Sequence, residues 1–189
     1  SVTIGGTTAE KLLNVQTSVS AANHTEVAFY WAKLSSGTSG DIVVTLAGVA
    51  LRIAVQVWRV IGAPVVLDTG SDQAGNPLQD SVSVVNGTVA LGAVLGVSTG
   101  AHSFSWSGLT EDNDSSIEGA TSQFSTASKA LTANETLAVA ATDSNQSAAN
   151  PQAFGVISLS PKPPSISLVG LDGRSVYLVG YKVDDSDLN

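Results

Sequence analysis

Apolar residues in this chain come in short runs or in alternation, and clusters of Gly, Ser, Asn and Asp interrupt them at close intervals. A period of two between turn-formers is the pattern of many short antiparallel strands. Composition points the same way. The 189 residues include 24 Val, 23 Ala and 42 Ser plus Thr, and only 13% are charged. β-branched side chains lose rotamer freedom in a helix and pack well on a pleated surface. The length suits one domain with a real core.

Strands are expected near residues 2–4, 11–16, 26–32, 41–47, 51–60, 65–67, 81–85, 88–97, 102–106, 122–128, 135–141 and 153–158. Residues 51–60 are the leading candidate for a central strand. Leu51, Ile53, Val55, Val57 and Val60 supply apolar surface there, and Trp58 offers an indole to the other face. Only residues 118–133 could hold a short helix, and their Ser and Thr content argues against one. Asn86-Gly87 and Asp172-Gly173 each sit between two alternating runs, which predicts two hairpins with type I′ turns.

The fold class expected is therefore all-β, an antiparallel two-sheet β-sandwich or jelly roll. Pro161-Lys162-Pro163-Pro164 favours extended polyproline geometry and bars a central strand. It divides a sandwich domain, 1–160, from a Pro-rich linker, a β-hairpin arm and an acidic tail, 161–189. An arm of this size has no core of its own and must pack on something.

Several chemistries find little support. Without Cys there are no disulfides, thiolate nucleophiles or the usual structural zinc sites. A net charge of −8 argues against a basic groove for nucleic acid. The longest weakly polar run, 42–66, is broken by Thr45, Arg52, Gln56 and Arg59, so it does not read as a membrane-spanning helix.

Val66-Leu67-Asp68-Thr69-Gly70-Ser71 matches an aspartic-protease signature, but that chemistry needs two carboxylates sharing one proton. The plainer reading is a strand ending in an Asp-Gly-rich turn. Gly96-Val97-Ser98-Thr99-Gly100 satisfies G-x-S-x-G with His102 close behind, yet strand or loop follows where a nucleophile elbow needs a helix. It reads as a turn between strands. Glu111, Asp112, Asp114 and Glu118 form the densest carboxylate group and read as a solvated acidic loop, since the spacing of a calcium loop is missing. His24 and His102 are too few to suggest a metal. No catalytic, cofactor or metal-ligating residues are assigned, and no cofactor is expected.

Four segments carry a resemblance: Val2-Thr3-Ile4-Gly5-Gly6-Thr7-Thr8-Ala9, Gly40-Asp41-Ile42-Val43-Val44-Thr45, Val55-Gln56-Val57-Trp58, and Trp106-Ser107-Gly108-Leu109-Thr110-Glu111. In this order, over roughly residues 1–160, the chain resembles β-rich virion proteins of tailed bacteriophages, encoded among head and tail genes. The resemblance implies a structural or host-facing role without catalysis: capsid decoration or a tail-associated protein, located in the virion and made in the host cytoplasm. Its partners would be other capsid or tail proteins, with no nucleic acid and no membrane. Relatives carry further strands before the Val-Thr-Ile-Gly-Gly segment, on which this chain begins.

Three roles are thus weighed. The first is a virion structural protein, a homo-oligomer and in particular a trimer, since virion sites are commonly symmetric. The second is a carbohydrate-binding module for a host surface glycan, with Trp31, Trp58 or Trp106 as stacking platform. The third, a hydrolase using Asp68 or Ser98, is set aside by the arguments above. Ile166, Leu168, Val176, Tyr177 and Leu178 mark the arm as an assembly element. It is expected to supply strands to an uncovered sheet edge, in its own domain or, by exchange, in a neighbouring subunit or capsid protein.

Overall fold

A computed structural model describes residues 1–20, 23–34, 40–46, 52–61, 64–118, 121–145 and 151–160. The hairpin expected at Asp172-Gly173 and the whole arm lie outside them. Among the described residues the chain is all-β with no helix. The strands are β1 (Val2–Ile4), β2 (Thr7–Thr8), β3 (Glu10–Ser20), β4 (Asn23–Trp31), β5 (Ile42–Val44), β6 (Val65–Asp72) and β7 (Leu78–Val84). They continue with β8 (Val89–Val97), β9 (Phe104–Ser107), β10 (Thr110–Glu118), β11 (Ser122–Ala130), β12 (Glu135–Asp143) and β13 (Gln152–Ser160).

Rather than two sheets, the described residues form four, all antiparallel. Their orders are β2-β1-β5, β10-β11-β8-β13-β6, β7-β12-β9 and β3-β4. β8 and β13 lie side by side inside the five-stranded sheet, with Val94 opposite Phe154 and Leu91 opposite Ile157. Every residue of β13 is buried. A strand buried without alternation is one covered on both faces. Successive residues accordingly join different cores. Ala90, Val94, Phe154 and Val156 pack with Leu78, Val82 and Val84 of β7 and with Leu137, Val139 and Ala141 of β12. Leu91, Ala93, Ala153, Ile157 and Leu159 pack instead with Val15, Val27 and Phe29 of the β3–β4 hairpin. Trp58 and Val60 close this second core from outside.

Residues 51–60 are not the central strand. Leu51 lies outside the described residues, and residues 53–60 belong to no strand among those described. Ile53, Val55 and Val57 are more than half exposed. A central strand needs apolar side chains on both faces, and β8 and β13 already fill that place. This segment has a use for one face only, through Trp58 and Val60.

Residues 110–118 are likewise no loop but strand β10, the outer strand beside β11. Two of their carboxylates, Asp112 and Asp114, are used locally. Asp112 Oδ1 accepts from Ser128 Oγ at 2.9 Å, and Asp114 Oδ1 accepts from Gln123 Nε2 at 2.7 Å. Charged side chains on an outer strand also discourage pairing with stray chains. Partial burial and the neighbouring Asp114 charge push the Glu111 carboxyl above its usual range.

The turn at Asn86-Gly87 differs from expectation too. Thr88 N–H donates to the Val85 carbonyl at 2.9 Å, and only Gly87, at φ 82°, has positive φ there. That is the φ pattern of a type II turn, not type I′. Type II turns splay the strands they join. β7 and β8 accordingly enter different sheets instead of pairing.

β6 and β7 also belong to different sheets, and carboxylates join them in place of a backbone ladder. Asp68 Oδ2 accepts from Ser83 N–H at 2.8 Å, and Asp80 Oδ2 accepts from Ser71 N–H at 2.7 Å. Asp72 Oδ2 accepts from Gln79 N–H at 2.9 Å. Gly70 is required at this crossing, because a Cβ there would stand 2.9 Å from the Asp80 carboxyl carbon. The Asp-Thr-Gly-Ser motif therefore lies within a strand that continues to Asp72, rather than at its end.

Backbone donors from Ser83 and Thr69 hold the Asp68 carboxyl below its ordinary 3.8. A depressed acid stabilises the fold fully above its unfolded pKa, and that contribution is lost as pH falls through the folded value. Urea midpoints across pH should show it: Asp68→Ala lowers the midpoint at neutral pH, and the gap from wild type narrows below about pH 3.8. A gap independent of pH would refute this role for the carboxylate.

Candidate functional site

The extended segment 52–61 is held by its one tryptophan. Trp58 stacks on Phe29 of β4, with ring centroids 6.3 Å apart and planes 13° from parallel. Its Nε1–H donates to Asp112 Oδ2 at 2.9 Å. Two unrelated strands thus fix the indole. Beside it lies a depression of about 350 Å³ lined by Trp58, Arg59, Val60, Ile61, Val89, Leu91 and Ser128. Five of these residues are apolar, and the other two are Arg59 and Ser128. Such a groove has room for an aliphatic or aromatic group beside one basic residue, Arg59.

The other two tryptophans have different settings. Trp106 packs against the first core, tilted on Phe154 at 5.9 Å, and its Nε1–H donates to Ser125 Oγ at 2.8 Å. Trp31 ends β4 and donates to Glu10 Oε2 at 3.1 Å. Trp58 and Trp106 belong to cores on opposite faces of the five-stranded sheet, so they do not share a platform. Ile166, Leu168, Val176, Tyr177 and Leu178 lie outside the described residues, as does the His24 side chain.

A second depression, about 450 Å³, is lined by Gln79, Asp80, Ser81, Ser107, Ala138, Val139 and Ala140 of the β7-β12-β9 sheet. Its single carboxylate is occupied, Asp80 accepting from Ser71 and Ser81 N–H.

A buried polar cluster lies where β8, β12 and β13 come together. His102 Nδ1 stands 3.0 Å from Asp143 Oδ2, with both side chains fully buried. Gln152 Nε2 donates to the same oxygen at 2.6 Å, and Asn145 N–H donates to Oδ1 at 2.9 Å. With a carboxylate as partner, Nδ1 carries the imidazole proton. Ser98 is close by, so the fold gathers a serine, a histidine and an aspartate. The relay is not assembled, because Ser98 Oγ donates to the Asn145 carbonyl at 2.9 Å and His102 Nε2 has no partner among the described residues. The G-x-S-x-G segment is the turn between β8 and β9, as expected. Sequence reasoning missed Asp143, whose partner is 41 residues away. The only hint was a carboxylate ending the apolar alternation of β12.

No protein-family model, curated protein or solved structure matches this chain.

Removing Asp143 strands three donors, His102 Nδ1–H, Gln152 Nε2 and Asn145 N–H, and a buried donor left unsatisfied costs about 1–3 kcal/mol. Asp143→Ala should therefore unfold at much lower urea than wild type. Ser98→Ala, which loses one neutral hydrogen bond, should cost about 1 kcal/mol. Equal midpoints for the two variants would contradict this ranking.

Proposed function

We propose that this chain is a structural subunit that acts by assembly, a virion protein of the decoration or tail-associated kind that the resemblance implies. The observation that carries the reading is the exposed aliphatic row of residues 53–61. Ile53, Val55 and Val57 face outward, and Ile61 is 87% exposed. Exposed apolar surface of this kind marks interaction sites. Along residues 53–61, which belong to no strand among the described residues, these exposed side chains alternate with Trp58 and Val60, which pack on the second core. Ile42, Val43 and Val44 of β5 and Val65, Val66 and Leu67 of β6 are exposed as well.

The strand order supports a finer reading of the fold, a jelly-roll sandwich of β6–β13. One sheet runs β11-β8-β13-β6 and the other β9-β12-β7, with β10 beside β11 and consecutive strands otherwise changing sheet. The β3–β4 hairpin is then an added cover on the outer face. Jelly rolls build viral capsid and lectin domains. A glycan-binding role is therefore the second reading, and it rests on Trp58 and Arg59, which line one groove.

Sedimentation equilibrium at micromolar concentration tests assembly. A homo-oligomer, in particular a trimer, is expected, and Val55→Asp with Val57→Asp should return a monomer with unchanged circular dichroism. A monomeric wild type that also remains monomeric on purified particles would overturn the reading. Glycan binding lost on Trp58→Ala, in a chain that does not self-associate, would transfer support to the second.

A further inference from the structure

The last described strand delivers the chain to the rim of the Trp58 groove. Leu159 of β13 is opposite Val89 on one side and Val66 on the other, and Ser160 is opposite Val65. Val89 is itself a wall of the groove, beside Leu91, Trp58, Val60 and Ile61. Val65 and Val66, at the same exit, are exposed. The chain then continues for 29 residues through Pro161-Lys162-Pro163-Pro164 into a segment alternating Ile166, Leu168, Val176 and Leu178. It carries Asp184, Asp185 and Asp187 soon after.

We propose that residues 165–182 of the same chain dock in the Trp58 groove, their aliphatic side chains covering Ile61, Val60 and Val89 and the acidic residues beyond facing Arg59. Apolar matches apolar, and Arg59, the one charged residue among those lining the groove, is opposite in sign to Asp184, Asp185 and Asp187. Reach is sufficient. Four residues of polyproline geometry span about 12 Å, and Val89 lies one strand, about 5 Å, from the exit at Leu159. The short tether also selects the occupant. It holds the segment at an effective concentration in the mM range, well above that of a second copy at micromolar protein. The inference shares Ile61 with the assembly reading, but Ile53, Val55 and Val57 do not line this groove.

The absence of Cys makes the test clean. Full-length chain carrying Ile61→Cys and Leu168→Cys is treated with a short bis-maleimide, beside a control carrying Ile61→Cys and Thr136→Cys. The first pair should cross-link within one chain, in a yield unchanged by tenfold dilution, whereas the control should not. Cross-links only between chains would assign the groove to another copy and overturn the proposal, and so would their absence. A second measurement does not depend on the double variant's geometry. The thiol of full-length Ile61→Cys should react with a monofunctional maleimide at least about tenfold more slowly than when Leu168→Asp and Leu178→Asp are added. Equal rates would also overturn the proposal. Both outcomes are read on the single chain, so they stand whether or not the chain proves to be an oligomer.

Discussion

The β8–β13 pair is the constraint on which the other elements depend. Both strands alternate side chains between two cores, so neither face is left for water, and each neighbouring sheet has a ready apolar surface to cover. Large-to-small changes in such strands lose transfer free energy and leave a cavity, typically at 2–5 kcal/mol each. The β3–β4 hairpin is positioned by this pair rather than by its own ladder alone. Without Leu91, Ala93 and Ile157 beneath it, a two-stranded ribbon is marginal in water.

Much of that arrangement can be read from the residues. The runs that became β8, β11, β12 and β13 combine β-branched and small residues with polar breaks, and their expected positions differ from the observed ones mainly at the ends. Residues 53–60 carry the same local signal and yet belong to no strand among the described residues. Alternation reports an extended backbone with one buried face, and it is silent on whether a neighbour is at hand to pair. β10 was obscure for the opposite reason. Its carboxylates disfavour a strand by propensity, but Ser128, Gln123 and the Phe104 N–H supply donors that only the folded chain brings near.

The candidate site was legible in part. Trp58 stood out as one of three tryptophans, but the groove beside it combines residues from 58–61, 89–91 and 128, a conjunction that no local pattern announces. His102 and Ser98 drew notice through a motif, and the folded chain puts them to a different use. The hydroxyl and the imidazole go to separate acceptors within one buried polar joint. Asp143 holds that joint through His102, Gln152 and Asn145.

The carboxylate seam between β6 and β7 has a geometric consequence. A backbone ladder repeats every two residues, so a strand can slide by one such step and recover most of its hydrogen bonds. Three side chains reaching three particular N–H groups have no such repeat. Asp68 on Ser83, Asp72 on Gln79 and Asp80 on Ser71 are satisfied together at one offset only. The seam therefore works as a ruler: it fixes how far one sheet is displaced along the other, and with it the depth to which Phe154 meets Trp106 across the core.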